Sequence, residues 1–212
     1  MNFLKSIIYG SEGSYDFLGV PVKFEKMETH YSFSNKQKKS SLSKSIACLA
    51  DLCVTSKSFA ILTGGYTHCL IHEYGHAFTC KLLKRHVCGI RISSNSALGR
   101  TSMLCNTLPS YQKSIIDTAG PFLGISYSCC KLISALALKK YISRPVAFSI
   151  AAGALIWILG EIFYALFSVI KKDGGDFGQI AKRGKVHVIA ATGALLVPTT
   201  IGLTVGFKLL MK

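Results

Sequence analysis

Acidic residues are scarce in this 212-residue chain: 10 Asp and Glu stand against 25 Lys and Arg, a formal charge of +15. Charged residues make up 17%, below the roughly 25% of an ordinary soluble domain. No Cys-x-x-Cys pair exists among the eight cysteines, which excludes a finger-type zinc site. Five of them (Cys48, Cys53, Cys69, Cys129, Cys130) stand in apolar runs and are expected to act as small hydrophobes, not as a disulfide framework. Heptads and a glycine period are missing too, so coiled coil and collagen are excluded. The cations are scattered at the ends of apolar segments, with no basic stripe interleaved with aromatics, and no nucleic-acid partner is expected.

Apolar length is what the chain has. Half of its residues are hydrophobic and mean hydropathy is +0.38. Four stretches exceed the ~20 residues that cross a bilayer: Ser58 to Leu83, Ile115 to Leu138, Val146 to Ile170 and Val186 to Leu210. Lys and Arg at their ends suit anionic headgroups, but occur on both sides and do not orient the chain. Ile46 to Val54 is too short to span. Upstream, residues 20–34 alternate loosely (Val22, Phe24, Tyr31, Phe33) and predict a short hairpin, followed by a Lys/Ser linker from Ser34 to Ser45. Between the first two spans, Val87 to Cys105 carries a hairpin signal: Ile90 and Ile92 alternate around Arg91, then a Ser/Asn turn cluster precedes Gly99. The expected architecture is an all-α membrane protein of about four transmembrane helices with a short β-hairpin insertion. Residues 1–45 are expected as a small soluble appendage and 46–212 as the membrane-embedded domain.

The first span contains His72-Glu73-Tyr74-Gly75-His76. On a helix His72 and His76 share a face and are able to grip one metal ion, while Glu73 lies one step round, placed to take a proton from activated water. A shuffled chain of this composition would hold roughly 0.004 copies of HExxH. Ionisable groups inside a bilayer cost ~2–3 kcal/mol or more when unsatisfied, so a pair of idle core histidines is the weaker explanation. His68, one turn earlier on nearly the same face, is a candidate ligand, but a role supporting the site by packing or hydrogen bonding is the preferred expectation. For Glu161, the other intramembrane acid, the expected partner is Lys131.

A third ligand must come from Asp16, Asp51, Asp117, Asp173 or Asp176. The cluster Asp173-Gly174-Gly175-Asp176 closes the third expected span; by itself it also fits a helix cap and turn. A membrane-embedded HExxH, then Ala119-Gly120-Pro121, then Asp-Gly-Gly resembles the site-2 protease family of intramembrane zinc metalloproteases, over about 105 residues. The resemblance implies His72, His76 and Asp173 as zinc ligands and Glu73 as general base. It also implies a β-element after the catalytic helix, where substrate adds as a strand and where residues 87–105 stand. The Asn and Pro that often precede the family's Asp-Gly are absent from Phe163 to Lys172, which keeps Asp176 as the alternative third ligand.

The resemblance therefore implies a zinc-dependent intramembrane endopeptidase that cuts a membrane-anchored protein within or near its transmembrane segment. No substrate-binding residue is singled out. The alternative is a multi-pass membrane protein that binds zinc for a structural or transport role without proteolysis; the two part at Glu73, which only the peptidase needs as a base.

Overall fold

A computed structural model of the chain describes residues 3–27, 56–94, 99–103, 108–171 and 175–210. Helix α1 (Phe3–Tyr9) is followed by strands β1 (Gly13–Phe17) and β2 (Val20–Glu25). Helices α2 (Lys57–Thr63) and α3 (Gly65–Leu82) lead into strands β3 (Val87–Ser93) and β4 (Gly99–Met103). Four further helices complete the described chain: α4 (Ser110–Leu138), α5 (Arg144–Lys171), α6 (Asp176–Arg183) and α7 (Lys185–Leu210).

Three of these helices, over Ser110–Leu138, Arg144–Ile170 and Lys185–Leu209, are long and apolar enough to cross a membrane. At 1.5 Å per residue they reach about 37–44 Å. The expected first span, Ser58 to Leu83, differs. It is broken at Gly64, which takes the left-handed conformation (φ 69°) and caps α2 through its own N–H on the Ala60 and Ile61 carbonyls. The C-terminal end of α2 is closed by Trp157 of α5, whose indole N–H donates to the Thr63 carbonyl at 3.1 Å. What remains, α3, is not apolar enough to count as a span because it carries three histidines, Glu73 and Lys81.

The expected hairpin at 87–105 is present as β3 antiparallel to β4, but it belongs to a larger four-stranded sheet in the order β1-β2-β3-β4. Beside it, β2 runs parallel to β3, pairing Val22 with Ile90 and Phe24 with Ile92. The upstream hairpin is also displaced from the expected 20–34: β2 pairs backwards with β1, Tyr15 opposite Val22. Tyr31, Phe33, the Lys/Ser linker and Ile46 to Val54 lie outside the described residues. Val20, Val22 and Phe24 alternate inward on β2. A register shift between Val87 and Gly89 puts both Val87 and Ile90 on the buried face of β3 despite their odd spacing. These side chains pack on Tyr66, Leu70 and Ala77 of α3. The part of the expected appendage that is described therefore shares its core with the HExxH helix.

A second core joins α4, α5, α6 and α7 through Ile125, Leu132, Ala154, Ile158, Phe177, Ile180 and Leu195. Helix α3 lies against α4 and touches the sheet through β3 and β4. The HExxH motif thus sits where the two cores meet.

Candidate metal centre

On α3, His72 and His76 lie one turn apart, their rings edge to face with centroids 5.1 Å from each other. Asp176, the first residue of α6, reaches them from the other end of the sequence. Its Oδ2 lies 3.2 Å from His72 Nε2 and 3.4 Å from His76 Nε2. One ligand atom from each of the three lies within 4.8 Å of the others, a group able to hold a metal ion. Two imidazole nitrogens and one carboxylate oxygen form a donor set that divalent transition metals take.

The hydrogen bonds behind the ligands fit the same chemistry. His72 Nδ1 is 2.7 Å from Glu161 Oε1, and His76 Nδ1 is 2.7 Å from the Ile116 carbonyl. Nδ1–H donation to each of these acceptors would leave Nε2 of both rings, on the Asp176 side, free to ligate a metal; fixing the tautomer and ring plane in this way is how metal-binding histidines are usually held. Glu161 also accepts from His68 Nε2 at 3.0 Å. His68 is itself stacked on Trp157 at 4.8 Å and lies 3.3 Å from Ser128 Oγ by its Nδ1. It supports His72 through Glu161 and is outside the ligand group. The expected Glu161–Lys131 pair is therefore replaced. Glu161 faces two histidines, which satisfy its carboxylate inside the protein, while the Lys131 ammonium sits 5.3 Å from the Tyr127 ring.

Close helix approach makes this geometry reachable. A Cβ on Gly75 would overlap the Ala119 carbonyl, and one on Gly120 would overlap the His76 imidazole. The Ala119-Gly120-Pro121 stretch is thus where α4 meets the HExxH helix. Pro121 lies inside α4 and lacks the N–H that would bond the Asp117 carbonyl.

Asp176 is held from two sides. Its backbone N–H donates to the Tyr164 hydroxyl of α5 at 3.0 Å. At the other end of α6, Arg183 pairs with Asp117 of α4 at 2.6 Å and donates to Ser114 Oγ at 3.2 Å. Asp173, the first-ranked third ligand, lies outside the described residues; Asp176, the alternative, is the acid at the histidines.

Glu73 is buried, and its Oε2 accepts from the Thr101 hydroxyl of β4 at 2.8 Å. The same hydroxyl lies 2.9 Å from the Glu73 carbonyl. Strand β4 therefore fixes the carboxylate that the sequence nominates as base, and Oε1 has no hydrogen-bond partner among the described residues. Sequence reasoning did not find Thr101, Tyr164, Arg183 or the Ile116 carbonyl. The first three are common polar residues with no motif around them, and the last is a main-chain atom. Comparison with protein-family models, with curated proteins and with solved structures finds no match to this chain.

Proposed function

We propose that the chain is a multi-pass membrane zinc endopeptidase that cuts a membrane-anchored protein within or near its transmembrane segment. The observation that carries this reading is the convergence of His72 Nε2, His76 Nε2 and Asp176 Oδ2, with each histidine held from behind at Nδ1 and a separate buried carboxylate, Glu73, on the same helix. The resemblance to the site-2 proteases supports it, with Asp176 taking the role first assigned to Asp173. Three helices of membrane length support the location.

In this reading His72, His76 and Asp176 hold the zinc, which when bound supplies a Lewis acid for the scissile carbonyl and acidifies water. Glu161 and the Ile116 carbonyl keep both imidazoles in the ligating tautomer. Water adds to the carbonyl carbon as Glu73 takes its proton; the C–N bond then breaks and Glu73 returns the proton to the departing nitrogen. Thr101 holds Glu73 Oε2, which leaves Oε1 for the transfer. Substrate would enter extended, as the resemblance implies, along the edge of β4 that β3 does not occupy.

The test is Glu73→Gln. It keeps size and the Thr101 hydrogen bond but takes no proton, and losing a general base costs typically 10²–10⁴ in rate. The variant is expected to bind one zinc per chain and to leave uncut a single-span substrate that the wild type cleaves in co-expression with a panel of such proteins. Wild-type cleavage by Glu73→Gln removes it as the base. Loss of zinc from the variant makes the motif structural and favours the non-proteolytic alternative.

A further inference from the structure

At the end of the long helices away from the histidines, cations from three helices line one pocket. Lys139 follows α4, Arg144 opens α5 and Lys208 lies in the last turn of α7; with Leu136, Phe148 and Leu209 they border a cavity of about 440 Å³. Arg144 and Glu161 are separated by about 25 Å of helix at 1.5 Å per residue, so the cavity plays no part in the metal centre. Among the described residues no carboxylate lines it, and none of the three cations has an ion-pair partner. A second cavity, lined by Glu12, Lys26 and Lys57, has a carboxylate among its cations and no large apolar side chain.

The two halves of the lining call for different chemistry on one molecule. Three unpaired cations beside the first turn of α5, where partial positive charge gathers, suit a phosphate ester. Leu136, Phe148 and Leu209 are useless to a free anion but suit hydrocarbon, and Phe148 is 58% exposed on the outward side of α5. Such a pocket also lies where headgroups sit if α4, α5 and α7 cross a bilayer.

We propose that this cavity is a binding site for an anionic phospholipid, its phosphate taken by Lys139, Arg144 and Lys208 and its acyl chains laid on Phe148 and Leu209. The proposal needs the membrane location but not the peptidase activity.

The test uses the full chain in uncharged detergent micelles, titrated with phosphatidylglycerol or phosphatidylcholine and read as bound lipid by native mass spectrometry. Phosphatidylglycerol is expected to bind at least about tenfold more tightly, since each nearby cation contributes about fivefold. Lys139→Gln, Arg144→Gln and Lys208→Gln should each weaken phosphatidylglycerol by about that fivefold and phosphatidylcholine, whose phosphate is offset by its own ammonium, by less. Lys185→Gln, at the other end of α7, should change neither, and Ala147→Trp, which fills the cavity, should abolish the preference. Equal binding of the two lipids, or the same loss from Lys185→Gln, overturns the proposal. Displacement of phosphatidylglycerol by millimolar inorganic phosphate makes the site one for small anions and overturns the lipid assignment. If a variant loses helical content, the wild-type lipid ratio and the phosphate competition decide alone.

Discussion

Helices α3 and α7 differ in where they place their apolar surface, although both are rich in it. In α3, Tyr66, Leu70, Ala77 and Cys80 pack inward beside His68, Glu73 and His76, with the sheet on one side and α4 on the other. In α7, only 17% of the most apolar stretch is buried within the protein, and Val186, Ile189, Leu196 and Val197 all face outward. Contiguous outward apolar surface of this extent is rare on a soluble monomer. The contrast shows a division of labour. The long helices turn their hydrophobicity outward, while α3 carries its polar side chains inside a protein shell, where hydrogen bonds hold His68, His72, Glu73 and His76.

If that division holds, substitutions around α3 should act on metal binding and those on α7 should not. The largest effect is expected for the third ligand. Asp176→Ala should drop zinc below stoichiometric binding in metal analysis of detergent-purified protein, as should His72→Ala, whereas Asp173→Ala should retain one ion per chain. Zinc retained by Asp176→Ala but lost from Asp173→Ala would return the role to Asp173 and dissolve the cluster described above. Next in size is Glu161→Gln, which removes the carboxylate behind His72; zinc affinity should fall about 10–100-fold in a chelator competition, with helical content unchanged. An unaltered affinity would leave Glu161 as packing only.

Smaller effects compare glycines. Gly120→Ala places a methyl against the His76 ring, and thermal unfolding of the metal-free protein in micelles should show a loss of about 1–3 kcal/mol. Gly193 on α7 has nothing near its missing Cβ, so Gly193→Ala should be neutral or stabilising by up to about 1 kcal/mol. Equal losses at the two positions would mean that α7 is packed as tightly as α4, against the outward face described here. Thr101→Val, which frees the Glu73 carboxylate, should cost about as much in the same unfolding measurement as Gly120→Ala. One uncharged donor to a carboxylate is worth about 1.5–3 kcal/mol at most, and zinc binding should be unaffected.

The β3–β4 hairpin was legible because its alternation and its turn cluster are local, and the three long helices because length and composition suffice. The break at Gly64 was not. Glycine inside an apolar run reads as a helix interior until Trp157, far along the chain, is seen closing the carbonyl at Thr63. The N-terminal strands were half legible: Val22 and Phe24 signalled a strand, but nothing local told that its partners would be Tyr15 and Ile90. Glu161 was misassigned for the same reason, since a buried acid seeks any donor and the sequence does not say which helix faces it.

What the sequence alone determined is the placement of His72 and His76 on one helical face with Glu73 beside them, because a spacing of four fixes that through the 3.6-residue turn. It also determined that the ends of the long helices would be cationic. The tertiary structure decided which acid completes the trio and which groups hold the rings. His72 meets Asp176 across 104 residues and Glu161 across 89. Separations of that size are set by helix packing at Gly75 and Gly120 and by the Arg183–Asp117 pair that anchors α6. Side-chain periodicity is a property of one element, whereas a metal centre built from three depends on how closely their backbones approach.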